Sequence, residues 1–275
     1  MIKVPSNEAT NKVTFEIVNN EILRHTIQFF YKTADGLRPY GSGVLALIHK
    51  THFIITASHV ANFFDKEKDS DLYIRVDKKG YINVLGEIVY SNINISKGID
   101  MAYIKIDTQM LPYLIKPYKF LTIDKITKHN QMLIGMNYCV LGFPEINIKL
   151  EDGQLDTGAS FFLTSATNEK PYKHYKLDKN DFFLVTMKGK GIDVKNGKST
   201  TIDPRFYGIS GGGLWYLIYH YESETKTYSV DYKLIGILTE FRKGKYFCLI
   251  ANKIHLLIEA LSAIEGFKFR QKKAE

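Results

Sequence analysis

Tyr207-Gly208-Ile209-Ser210-Gly211-Gly212-Gly213 sets a single serine among four glycines. A polar loop ending in Asp203-Pro204-Arg205 precedes it, and the apolar run Leu214-Trp215-Tyr216-Leu217-Ile218-Tyr219 follows. Glycine on both sides of the serine lets the backbone bend tightly and lets a second molecule come close. It also frees the nearby amides to point one way, as a site that stabilises an oxyanion requires. Taken alone, the stretch reads equally well as a glycine-rich turn ahead of a strand. The remainder of the chain separates the two readings.

Upstream, Gly41-Ser42-Gly43-Val44-Leu45-Ala46-Leu47-Ile48 reads as a buried strand. A turn at His49 to His52 leads into Phe53-Ile54-Ile55-Thr56-Ala57, a second strand. It runs directly into Ser58-His59-Val60-Ala61-Asn62-Phe63-Phe64, a short helical turn with Ser58 as its expected cap. Further strands are expected at Leu72 to Val76, Tyr81 to Leu85 and Glu87 to Tyr90. Ile99-Asp100-Met101-Ala102-Tyr103-Ile104-Lys105-Ile106 then places an acid between apolar neighbours at a strand start. Residues 107 to 135 read as a linker with a short strand at Phe120 to Ile123.

A second series of strands follows at Tyr138 to Pro144, Ile146 to Leu150, Ser160 to Ser165 and Phe182 to Met187. After the serine turn it continues at Leu214 to Tyr219, Leu234 to Thr239 and Tyr246 to Ile250. Lys188 to Thr201 reads as a polar surface loop and His220 to Asp231 as a hairpin tip. Ile254, Leu257, Ile258, Leu261 and Ile264 recur at helical spacing, with Asn252 as the expected cap. At the other end, Thr14 to Val18 reads as a strand, and Glu21 to Tyr31 fits a helix or a strand. Many short strands and one terminal helix predict an all-β architecture of barrel or sandwich type.

The 275 residues suffice for one large or two small domains, and 18 Tyr with 17 Phe favour strands. No stretch approaches the roughly 20 apolar residues of a membrane span, so no membrane partner is expected. The polar start, Met1 to Glu8, lacks the apolar core of a secretion signal, and a cytoplasmic location is expected. Cys139 and Cys248 lie in apolar runs and are expected as buried thiols. No Cys and His cluster has metal-ligand spacing, and no cofactor is expected. The net charge of +8 is spread over scattered lysines, with one dense run in the tail Lys268 to Lys273. Such scatter describes a solvated surface, and a nucleic-acid partner is not expected.

His59, Asp100 and Ser210 together supply what acyl transfer needs: a hydroxyl, an imidazole that takes its proton, and a carboxylate that orients the ring. Imidazole suits the part because it titrates near neutral pH. The order His, Asp, Ser differs from that of α/β-hydrolases and of subtilisin-like enzymes, and the chain lacks their alternating helices.

With these residues in place, the chain resembles the chymotrypsin-like (trypsin-fold) serine proteases, in their stand-alone bacterial form. Thr56-Ala57-Ser58-His59 resembles the family's Thr-Ala-Ala-His, and Asp100-Met101-Ala102 its Asp-hydrophobe-Ala segment. Gly208-Ile209-Ser210-Gly211-Gly212 is similar to Gly-X-Ser-Gly-Gly around the nucleophile. Gly142-Phe143-Pro144 and Lys233 to Thr239 match two further segments, and the resemblance covers about residues 38 to 265.

The resemblance implies two six-stranded antiparallel β-barrels with a C-terminal α-helix. Residues 1–35 would be an N-terminal extension, 36–125 the first barrel with His59 and Asp100, 126–251 the second with Ser210, and 252–275 the helix and basic tail. It implies Ser210 as nucleophile, His59 as general base and then acid, and Asp100 as orienter of His59. The N–H groups of Gly208 and Ser210 would form the oxyanion hole. Pro204, Tyr207, Thr239, Glu240 and Phe241 would line the substrate site. The expected partner is a protein or peptide substrate, with narrow specificity or activation by a protein partner; the alternative is a trypsin-fold binding module without catalysis.

Two positions depart from the family. Ile209 stands where the digestive and clotting enzymes carry the Asp that pairs with a newly released N-terminus, so that route of activation is absent. Gly213 replaces a frequent Pro, which implies a looser loop.

Overall fold

Strand side chains alternate between two faces, and here both faces are buried. The computed structural model describes residues 8–63, 71–77, 80–91, 98–130, 132–133, 135, 137–144, 149–151, 154–156, 158–187, 190–193, 199–201 and 208–268.

Helix α1 (Glu8–Asn20) and a 3-10 turn (Ile22–His25) lead into β1 (Thr26–Thr33), β2 (Gly36–Ile48) and β3 (Thr51–Thr56). Helix α2 (Ser58–Ala61) follows, then β4 (Leu72–Arg75), β5 (Tyr81–Asn83), β6 (Gly86–Tyr90) and β7 (Ala102–Ile106). The connection to the second half holds α3 (Leu111–Leu114) and β8 (Leu121–Thr122). The second half contains β9 (Tyr138–Gly142), β10 (Lys149–Glu151), β11 (Gln154–Asp156), β12 (Ser160–Thr164), α4 (Glu169–Tyr175) and β13 (Phe182–Thr186). It ends with β14 (Lys190–Asp193), β15 (Ser199–Thr201), β16 (Gly213–Glu222), β17 (Thr227–Arg242), β18 (Cys248–Lys253) and α5 (Ile254–Ile264).

The first sheet runs β5-β4-β1-β2-β3-β7-β6, with β8 added to β2. The second runs β13-β18-β17-β16-β9-β12-β14-β15, and β10 pairs with β11 apart from both. Counting the shortest members, each large sheet has eight strands. Both are antiparallel apart from the β2–β8 contact, and each curls into a half-barrel. The all-β expectation with a C-terminal helix therefore describes the molecule.

Alternation divides the apolar residues among four clusters, the smallest of them Tyr172, Phe182, Leu184, Cys248 and Ile250 on the outer side of β13 and β18. Val44 and Ala46 of β2 and Phe53 and Ile55 of β3 share one cluster with Leu141, Trp215, Leu234 and Ile237 of the second sheet. Between them, Leu45 and Ile54 join Ile27 and Phe29 inside the first half-barrel. Likewise Val140, Leu214 and Ile235 join Phe183 and Leu249 inside the second. Strands buried on both faces read as continuous apolar runs rather than alternating ones, which is why period alone could not orient them.

Four sequence expectations are corrected. Thr14 to Val18 is helical, not a strand: α1 brings Thr14, Val18 and then Ile22 onto one face, all at most 1% exposed. Thr14 Oγ1 bonds the Thr10 carbonyl at 2.7 Å and meets the Tyr219 hydroxyl at 2.9 Å, a contact with the second half that outweighs local β preference. The first sheet already begins at β1, ahead of residue 36. Within Lys188 to Thr201, β14 and β15 form a hairpin and β14 extends the sheet beside β12. Finally, Asn252 does not cap the last helix; β18 continues through it to Lys253.

His25 stands where the N-terminal segment, the connection and the second sheet meet. Its Nδ1–H donates to the Lys119 carbonyl and its Nε2 accepts from the Tyr232 hydroxyl, both at 2.9 Å, and the ring stacks on Trp215. Burial holds its pKa below the ordinary histidine value, opposed by the Lys119 hydrogen bond. The unfolded chain therefore takes up the proton first. Stability contributed by neutral His25 should be intact above about pH 6.5 and decline as pH falls below it, until the folded ring also protonates. Urea titrations at about pH 8 and about pH 5 should show this slope reduced in His25→Asn; an unchanged slope would refute it.

Candidate active site

Strand pairing brings His59 and Asp100 together. Thr56, near the end of β3, lies opposite Ala102 at the start of β7. Three residues on from one and two back from the other, the His59 and Asp100 side chains meet. Nδ1 of His59 is 2.6 Å from Oδ2 of Asp100, and the backbone N–H of His59 donates to Oδ1 at 2.9 Å. The carboxylate thus grips both ring and main chain. A carboxylate accepts, so the shared proton sits on Nδ1, and Nε2 is left as the basic nitrogen. The His59 side chain is 35% exposed and that of Asp100 only 12%, so the ring is reachable and its orienter is not. Tyr40 closes the other side, its hydroxyl donating to the His59 carbonyl at 3.1 Å.

Ser210 lies on a turn of the second half-barrel. Gly208 and Gly211 there have φ of +91° and +85°, the left-handed region that suits glycine. A Cβ at Gly211 would lie 2.0 Å from the Ser42 carbonyl oxygen and 2.2 Å from Thr56 Oγ1. The turn is held by Gly212 N–H to Ile209 O at 2.9 Å, Gly211 N–H to Leu238 O at 2.7 Å and Leu238 N–H to Gly212 O at 2.8 Å.

Ser42 of β2 ties this turn to the first half-barrel. Its N–H donates to the Ser210 carbonyl at 2.8 Å. Its hydroxyl donates to the Gly208 carbonyl at 2.7 Å and accepts the Phe143 N–H at 3.2 Å. Thr56 Oγ1 in turn donates to the Ser42 carbonyl at 2.7 Å. Next to Ser42, an added Cβ at Gly41 would lie 2.8 Å from Val60 Cγ1 and 3.4 Å from the Ser210 carbonyl. β2 therefore separates the helix bearing His59 from the turn bearing Ser210 by the thickness of one backbone.

The departures noted in sequence have structural counterparts. Ile209 is buried in the apolar interior of the second half-barrel, against Gly142, where a Cβ would meet Ile209 Cγ1 at 2.6 Å. Apolar packing thus anchors the turn at Ile209. Gly213 opens β16 and is not slack: it pairs with Leu141 and Ile237, and a Cβ there would meet Trp215 Nε1 at 2.5 Å.

The N–H groups of Gly208 and Ser210 find no acceptor among the described residues. The Ser210 hydroxyl donates to the Thr239 carbonyl at 3.4 Å, and no hydrogen bond joins it to His59. Thr239 is the extra residue of a bulge in β17, between Leu238 opposite Ala251 and Glu240 opposite Ile250, and such a bulge re-aims the backbone. Glu240 pairs with Arg242 at 2.9 Å, and Phe241 meets Phe247 edge-on at 5.9 Å. Pro204 and Tyr207, with Asp203 and Arg205, lie outside the described residues.

Other acids are occupied elsewhere: Asp71 bonds Asn83, and Asp107 caps a 3-10 turn. Both cysteines are buried and free, and burial pushes the Cys248 thiol up to about 11. Among the described residues, no three His, Cys, Asp or Glu side chains stand close enough to share a metal ion. The residues that sequence reading missed are Ser42, Tyr40, Ser91 and Asn252, the last donating no cap but accepting the Asp100 N–H at 3.0 Å. The signal for Ser42 was its place between Gly41 and Gly43; the others carry no local signal. Compared with protein-family models and with curated proteins, the chain matches none.

Ser42→Ala leaves the Gly208 carbonyl and the Phe143 N–H without their partner. It should cost about 1–3 kcal/mol in urea unfolding, and Gly211→Ala should cost more, because it combines a clash with a left-handed φ. A loss in Ser42→Ala within the error of the measurement would show that the bridge is dispensable.

Proposed function

We propose that the chain is a serine endopeptidase with a His59–Asp100–Ser210 triad, acting from the cytoplasm on a protein or peptide substrate. The observation that carries this reading is the two-point grip of Asp100 on His59, 2.6 Å at the ring and 2.9 Å at the backbone. The two half-barrels are compatible with a trypsin-like fold, with the first supplying the ring and carboxylate and the second the hydroxyl.

In this reading Ser210 Oγ attacks the carbonyl carbon of the scissile bond while His59 Nε2 takes its proton. The carbonyl oxygen becomes an oxyanion received by the N–H groups of Gly208 and Ser210. As the tetrahedral intermediate collapses, His59 passes the proton to the leaving amine, and an acyl group remains on Ser210. Water, deprotonated by His59, then releases the acid and restores the serine. A substrate strand would run beside Thr239 to Phe241 by β-addition. The turn needs no released N-terminus, because Ile209 is anchored by apolar packing; conditional activity would come from a protein partner.

One observation favours a second reading, a binding module on the same scaffold. The Ser210 hydroxyl bonds the Thr239 carbonyl instead of His59. Catalytic hydrogen bonds often tighten only with substrate bound, which keeps the peptidase reading ahead.

An organophosphonate serine probe should label Ser210, with labelling lost in His59→Ala. In a peptide-hydrolysis assay, Ser210→Ala should lower kcat by on the order of 10⁴ to 10⁶. Hydrolysis that survives Ser210→Ala undiminished would overturn the triad, and peptide binding without labelling or hydrolysis would favour the module.

A further inference from the structure

The serine preceding His59 does not cap α2: the cap position is Ala57, and no side chain bonds the first turn. The Ser58 hydroxyl instead lies 2.6 Å from the Met101 carbonyl and 2.8 Å from the Ser91 hydroxyl. Ser91, just past β6, answers from the other side. Its N–H is 3.1 Å from Ser58 Oγ and 2.9 Å from the Met101 carbonyl. Its hydroxyl is 2.7 Å from the Ile99 carbonyl and accepts the Met101 N–H at 3.0 Å. The two hydroxyls own two protons for three such contacts, so one proton is shared and the cluster acts as a unit.

Asp100 sits between the residues so held. The peptide group before it is tied at both ends, the Ile99 carbonyl to Ser91 and the Asp100 N–H to Asn252 Oδ1. The peptide group after it is tied through the Met101 N–H. Ser58 is directly bonded in sequence to His59, so one cluster fixes both partners of the 2.6 Å contact.

We propose that Ser58 and Ser91 are positioning residues that lock the Asp100 carboxylate against the His59 ring, with Asn252 as a third support. Their effect on turnover rests on the peptidase reading; their effect on the ring does not. A displacement of about 1 Å in a catalytic group costs roughly 100-fold in rate, and removing a hydroxyl from the cluster frees the strand start that carries Asp100.

The test is proton NMR of the full chain at low temperature. The His59 Nδ1 proton should give a low-field resonance, assigned by its disappearance in His59→Gln. In Ser91→Ala it should shift and exchange with water at least about tenfold faster while the amide spectrum stays native. Should Ser91→Ala fail to fold, Ser58→Ala reads the same bond. In parallel, kcat should fall roughly 10- to 100-fold with KM little changed. A native spectrum with an unmoved resonance and unchanged exchange in Ser58→Ala overturns the assignment, as does a kcat loss without any change in that resonance. If the parent chain hydrolyses nothing, only the peptidase reading falls, and the resonance alone decides the positioning role.

Discussion

The hydrogen bond from the Ser42 hydroxyl to the Gly208 carbonyl joins the two half-barrels beside the turn that carries Ser210. Ser42 also gives its N–H to Ser210 and receives Thr56 on its carbonyl, so all its polar groups are engaged at the seam. A buried polar group left unpaired costs more than the pair gains, which makes such a network exacting: both sheets must reach the same register for it to form. The bare faces of Gly41 and Gly211 follow from this, because any Cβ there would push apart the backbones that Ser42 draws together.

Asp100 shows the same economy of support in a different form. The residue is 9% exposed, and among the described residues no arginine or lysine pairs with it. The His59 ring and main chain face its carboxylate, and Asn252, Ser91 and Ser58 hold its backbone. The glycine turn that carries Ser210 is likewise anchored by a buried isoleucine, Ile209. Around the one carboxylate, the supporting contacts are hydrogen bonds from uncharged groups and close apolar packing.

Much of the architecture is legible in the sequence. The all-β architecture follows from short apolar runs between polar turns, and the flanks and order that single out His59 and Asp100 name two side chains that the structure brings into contact. Ile209, Gly211 and Ser210 were picked out by glycine spacing. What stayed hidden was decided by contacts distant in sequence. Thr14 to Val18 favours a strand locally, yet becomes helical because Val18 and Ile22 enter the core between the sheets. Asn252 and Ser58 have the composition of helix caps, and each directs its polar atom to the Asp100 segment instead. Ser91 and Tyr40 lie in unremarkable sequence, and only tertiary pairing gives them partners.

Asn252 carries a consequence for the order in which the molecule is made. Its amide reaches Asp100 across 152 residues. A chain emerging from the ribosome holds the ring and its carboxylate long before it holds that support, and the strand bearing Asn252 is the last of the sheet. The segment that carries Asp100 therefore gains this last tie only once β18 has been made, so its final geometry is a property of the finished fold and not of the first half alone.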